Sequence, residues 1–106
     1  LLDAGADVDM RDQNGISTLM WSCFNKSTEA VKLVLAAGPD LNAQDNEGRT
    51  ALIWAVAKRN LEAASLILAW GADPNITDAQ GKNAVMIAFE RGYTELLEIL
   101  AEPASD

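Results

Sequence analysis

The side chains in this chain that could do chemistry are carboxylates, guanidinium and ammonium groups, and one thiol. No histidine is present. That removes the commonest general base and the commonest transition-metal ligand. Cys23 stands alone, so neither an internal disulfide nor a structural zinc site can be built from this chain. Sixteen acidic residues supply pairs of carboxylates. Each pair, however, belongs to a position that recurs along the chain, as a surface or a turn does. The glycines keep the same spacing, which assigns them to turns and leaves no phosphate-binding loop. Catalysis, a cofactor, a metal and a small-molecule substrate are therefore not expected. Recognition remains. Arginine offers a bidentate fork to a carboxylate or phosphate, and tryptophan is a favoured interface anchor.

Net charge narrows the partner. Sixteen acidic against eight basic residues give −8, which opposes nucleic acid and anionic membranes, where a basic surface supplies most of the affinity. A protein partner is expected, of unknown identity. No apolar run approaches the roughly 18 residues of a membrane span, and no export leader is visible at the start. With a lone cysteine, these features suggest a reducing, cytoplasmic setting. The 106 residues fit one domain, with an apolar content of 49% adequate for a core.

The elements that position these groups recur every 33 residues. Asp12, Asp45 and Asp78 form one series, Gly15, Gly48 and Gly81 a second, and Gly5, Gly38 and Gly71 a third. A fixed period between about 20 and 50 residues marks a stacked repeat protein. The chain divides into a tail at 1–11 and repeats at 12–44, 45–77 and 78–106. Each repeat opens on an Asp-x-x-Gly turn, in which the Asp carboxylate is expected to accept hydrogen bonds from its own loop. Ser17, Thr50 and Asn83 are good N-cap types, each placed before a short apolar helix. A second helix runs from about Ser27, Asn60 and Tyr93. Its apolar positions share one face, as at Val31, Val34 and Leu35, and Leu33, Leu66 and Ile99 are expected to widen that stripe.

A β-turn followed by two helices at this period resembles the ankyrin repeat. The carriers are Asp-x-x-Gly-x-Thr-Ala-Leu at 45–52 and Gly71-Ala-Asp-Pro-Asn75, with echoes at Gly5 to Asp9 and Gly38 to Asn42. The resemblance implies an all-α solenoid of stacked helix-turn-helix pairs joined by β-hairpin-like loops. Departures are informative. Where the family has Thr-Pro-Leu-His, this chain reads Ser17-Thr-Leu-Met20, Thr50-Ala-Leu-Ile53 and Asn83-Ala-Val-Met86. Met20, Ile53 and Met86 are thus expected to replace hydrogen bonds between repeats with apolar packing. The family's interhelix glycine survives at Gly92, while Lys26 and Arg59 hold its place elsewhere. Left-handed backbone at those two would cost on the order of 1 kcal/mol each.

The resemblance also implies where a partner binds, on hairpin tips and inner helices lining a concave groove. Position by position these are Arg11, Gln13, Asn14, Ile16, Asn46, Glu47, Arg49, Gln80 and Lys82 on the tips. Phe24, Asn25, Lys58 and Arg91 follow on the inner helices. Five basic residues there face Glu47 and Glu90, so the groove could favour an acidic or phosphorylated segment; alternatively these are solvated charges that keep the surface soluble. Trp21 and Trp54 share one repeat position, as core fillers or as anchors. Trp70 is expected to lid the junction with the last repeat, Cys23 to be an inert buried thiol, and Phe89 to sit between helices. Pro103, with Glu98, Glu102 and Ser105, suggests a capping repeat at the C-terminal end. The N-terminal end reads as midway through a repeat, leaving a bare face through which the chain could self-associate. Two function classes stand side by side: a non-catalytic protein–protein interaction module, or a structural or regulatory arm of a larger enzyme or effector protein.

Overall fold

The computed structural model describes residues 10–101, which form six short helices. These are α1 Thr18–Phe24, α2 Thr28–Ala36, α3 Ala51–Ala57, α4 Leu61–Ala69, α5 Ala84–Arg91 and α6 Thr94–Ala101. The echo at Gly5 to Asp9, the loop acids Asp3 and Asp7, and Glu102, Pro103 and Ser105 lie outside the described residues.

Five of the six helices start where the sequence puts a capping side chain. Ser17, Thr50 and Asn83 accept from the amides of Met20, Ile53 and Met86, and Ser27 and Asn60 do the same for α2 and α4. Such caps are worth about 1 kcal/mol apiece. At Ser17 the Met20 sulfur also accepts the Ser17 N–H at 3.4 Å.

The order of packing makes a solenoid. Each inner helix (α1, α3, α5) packs on its own outer helix, α3 packs between α1 and α5, and α2, α4 and α6 stack in turn behind them. One core results. It runs from Leu19, Met20 and Cys23 through Leu52, Ile53 and Val56, with Val31, Leu35, Ile67 and Leu96 filling from the outer helices. Small residues at Ala51, Ala55, Ala84 and Ala88, all buried, line the close approach of successive inner helices. Asn60 ties two repeats together, donating its Nδ2 to the Cys23 carbonyl at 3.4 Å.

The three Asp carboxylates do what the sequence predicts. Oδ1 of Asp12 accepts from Asn14 and Ile16, that of Asp45 from Glu47 and Arg49, and that of Asp78 from Gln80 and Lys82, all within 2.8–3.0 Å. The hairpins are joined edge to edge. Asn46 N–H donates to the Asn14 carbonyl at 3.0 Å, and Ala79 N–H to that of Glu47 at 2.8 Å. Side chains repeat the pattern: Arg11 Nη1 reaches the Gln44 carbonyl, Gln44 Nε2 that of Thr77, and Asn46 Nδ2 that of Gln13.

Several expectations need correction. Met86 is exposed, not packed as Met20 and Ile53 are, because no described residue lies over its side of α5. Phe89 projects from α5 instead of sitting between helices. Trp70 caps the C-terminus of α4 and is 53% exposed, so it does not seal the junction with the last repeat. Leu33 is also exposed, unlike its half-buried counterparts Leu66 and Ile99.

Lys26 and Arg59 do adopt left-handed backbone, with φ of 57° and 54°, where the last repeat has Gly92 at 70°. Lys26→Gly is expected to raise stability by about 0.5–1 kcal/mol, since relief of strain exceeds the added chain entropy. Arg59→Gly should gain less, because the Arg59 guanidinium lies 5.4 Å from the Tyr93 ring centroid. Urea midpoints of the two variants check this; equal or negative shifts for both would refute it.

Candidate functional site

Hairpin tips and inner helices together line two clefts. The first, of about 360 Å³, lies between the first two hairpins and is bounded by Asp12, Asn14, Ile16, Trp21, Phe24, Asn46, Glu47, Arg49 and Trp54. The second is about 200 Å³ and runs on from Arg49 to Gln80, Lys82, Glu90 and Arg91 over Ile53 and Ile87. Arg49 borders both.

The sequence-derived site residues divide accordingly. Asn14, Ile16, Phe24, Asn46, Glu47 and Arg49 meet in the first cleft, and Gln80, Lys82 and Arg91 in the second. Lys58 touches the first from above, its Nζ 4.3 Å from the Phe24 ring centroid. Arg11, Gln13 and Asn25 line neither. Arg11 and Gln13 are engaged in the hairpin-to-hairpin bonds, and Asn25 is the C-cap of α1.

Aromatic rings form the floor of the first cleft. Phe24 meets Trp21 on one side and Trp54 on the other, each edge to face with centroids 5.7 Å apart. Trp21 and Trp54 share a register position but differ in surroundings. Trp54 packs against the core, while Trp21 is 46% exposed. Cations lie over this row, Lys58 on Phe24 and Arg49 on Trp54 at 4.5 Å. Cation–ring contacts of this kind are worth about 0.5–1 kcal/mol when exposed.

Asp45 sets the cleft's geometry, and its sequence context marked it only as a turn residue. Its side chain is fully buried. Oδ1 takes the Glu47 and Arg49 amides, and Oδ2 takes Arg49 Nε at 2.9 Å and Trp54 Nε1 at 3.0 Å. One carboxylate thus fixes both the guanidinium and the indole. A signal was present: only the middle repeat has Arg four residues and Trp nine residues after its Asp, where the others have Ile16 with Trp21 and Lys82 with Ile87. Arg49 is held through Nε and lies over the Trp54 ring, and among the described residues its two Nη groups make no hydrogen bond.

In the second cleft the cations are held by the chain itself. Lys82 Nζ pairs with Glu90 at 3.0 Å, and Arg91 Nη1 donates to the Ala57 carbonyl at 3.0 Å. Cys23 is buried at the α1–α3 contact, and burial pushes its thiol from 9.0 up to about 12, a hydrogen bond with Ser22 pulling the other way. Such a thiol is no nucleophile at neutral pH. Among the described residues no cluster of His, Cys, Asp or Glu has the makings of a metal site, and no helix is long and apolar enough to cross a membrane.

A family model described as ankyrin repeats, in three copies, matches residues 1–78. No curated protein matches the chain.

Two outcomes follow from this geometry. Asp45→Ala strands the Trp54 and Arg49 donors and should cost about 2–3 kcal/mol, whereas Asp12→Ala, which frees two exposed amides, should cost under about 1 kcal/mol. Denaturant unfolding distinguishes them, and equal losses would remove Asp45 from its special role. For Cys23 the sign is fixed by a folded pKa above the unfolded one. Its contribution is intact below pH 9.0 and is lost as pH rises toward about 12. Wild type should therefore lose stability relative to Cys23→Ala across that window, and parallel profiles would contradict it.

Proposed function

The chain belongs to the ankyrin repeat family, whose members generally serve as protein–protein interaction modules, and on that premise we propose that it is a non-catalytic recognition domain gripping a protein segment along its two clefts. The observation that carries this reading is Arg49. Its Nε is anchored to a buried carboxylate and its guanidinium carbon lies 4.5 Å from the Trp54 ring centroid, so its remaining donors are oriented before any partner arrives. Preorganised guanidinium forks suit a carboxylate bidentately and lose little entropy in doing so. The ring row of Trp21, Phe24 and Trp54 supplies apolar contact alongside it. Asp12 and Glu47 border the same cleft, so a uniformly acidic segment is disfavoured. The best match is one acidic side chain next to an apolar or aromatic one. A buried lone thiol suits a reducing compartment, and the cytoplasm is the proposed setting.

Affinity capture with wild type, Arg49→Glu/Lys58→Glu and the outer-helix control Lys32→Glu tests the assignment. The double variant should lose its partner by roughly tenfold or more, the scale of a charge-assisted hydrogen bond, while the control retains it. Affinity for that partner should also weaken as salt rises. Equal capture by all three proteins would place the binding site elsewhere.

A further inference from the structure

The Asp turns of the first two repeats are built alike, so side chains at matching places stand on the same backbone frame. Asp12 and Asp45 each accept two loop amides on Oδ1. Each also donates its own N–H to the carbonyl four residues on, at 3.1 and 2.9 Å, and Ser17 and Thr50 cap the helices that follow. In the middle repeat this frame brings together a carboxylate, a cation and a ring. Arg49 Nε donates to Asp45 Oδ2 at 2.9 Å, and the guanidinium carbon lies 4.5 Å from the Trp54 ring centroid.

The first repeat has the carboxylate and the ring without the cation. Asp12 and Trp21 stand nine residues apart, as Asp45 and Trp54 do, and Ile16 holds the place of Arg49. Ile16 brings no donor. Among the described residues, Asp12 Oδ2 and Trp21 Nε1 make no hydrogen bond, and neither Asp12 nor Glu47 has an ion pair. Asp12, Ile16, Trp21 and Glu47 all border the first cleft, which lies between the first two hairpins. The last repeat is the converse case. It has Lys82 but Ile87 in the ring's place, and there the Lys82 ammonium pairs with Glu90.

We infer that the Asp12–Trp21 end of the first cleft is a subsite for a guanidinium group, an arginine side chain of the partner set against Asp12 and Trp21 as Arg49 is set against Asp45 and Trp54. This rests on the reading of the cleft as a recognition site and adds a second requirement to it. The partner presents a base to Asp12 and Trp21 beside the acid that Arg49 takes. A guanidinium is planar and weakly hydrated, so it can donate to a carboxylate while lying over an indole, whereas an ammonium is more strongly hydrated and offers no fork. Glu47 adds a second carboxylate at the same cleft. The two cations do not compete, because each keeps a carboxylate of its own, Asp12 for the partner's and Asp45 for Arg49.

The indole N–H signals in nuclear magnetic resonance spectra of the full chain test the inference, with acetyl-arginine amide as the probe and Trp21→Phe to identify the Trp21 signal. Wild type should show a saturable shift of the Trp21 indole and of the Asn14 and Ile16 amides. Asp12→Asn, which keeps an acceptor for the turn, should lose most of the Trp21 shift. Ile16→Arg should lose all of it, because the introduced side chain fills the place from within. Acetyl-lysine amide should shift the wild-type signals less. Arg49→Glu/Lys58→Glu should respond to the arginine probe no less than wild type, so failure of the wider reading in affinity capture leaves this result standing. Circular dichroism confirms that the variants are folded; should Ile16→Arg not be, Ile16→Lys replaces it. No saturable shift in wild type, a full response from Ile16→Arg, or an equal response to the lysine probe overturns the inference.

Discussion

Helices of seven to nine residues do not persist alone in water, where roughly 12–15 residues are marginal. Every helix here is that short, so each must draw its stability from a neighbour. The inner helices feel this most. An α3 with Leu52, Ile53 and Val56 on one side and Ala51 and Ala55 also buried has apolar surface on more than one side, which only flanking helices on both sides hide. Repetition is thus a physical requirement of these segments, and the side-by-side packing of α1, α3 and α5 is its solution.

Around that frame the polar groups divide into those that hold the stack and those that face outward. Asp45 belongs to the first group although it shapes the second. Its buried carboxylate takes four donors, so the loop, the Arg49 side chain and the Trp54 indole are all tied to one group. Recognition surfaces are usually mounted on loops carried by a rigid scaffold. Here the loop itself is stiffened by the residue that begins it.

Periodicity in the sequence was enough to find the helices, their caps and the Asp turns, because those depend on neighbours within a few residues. The family resemblance, and not the period itself, pointed to Asn14, Ile16, Phe24, Asn46, Glu47 and Arg49 of the first cleft and to Gln80, Lys82 and Arg91 of the second. Periodicity failed where the outcome depends on something across the stack. Met86 and Phe89 occupy the positions of Met20 and Cys23, and nothing in their own repeat tells whether a further helix covers them. Trp21 and Trp54 differ for a similar reason, since only one of them follows an Asp and Arg that can hold the indole. The role of Asp45 needed three side chains spread over nine positions to meet at one point, a coincidence that a search for repeated features averages away.

The bonds between hairpins have a further bearing on how such a chain can change. Arg11 to Gln44, Gln44 to Thr77 and Gln13 to Asn46 each join groups 33 residues apart. A single inserted or deleted residue between two hairpins must be absorbed before the next one, or these partners fall out of alignment. Loss or gain of an entire unit disturbs none of the pairings inside the units that remain. Duplication of a whole unit keeps this 33-residue spacing, whereas a single inserted or deleted residue must be absorbed within its own unit.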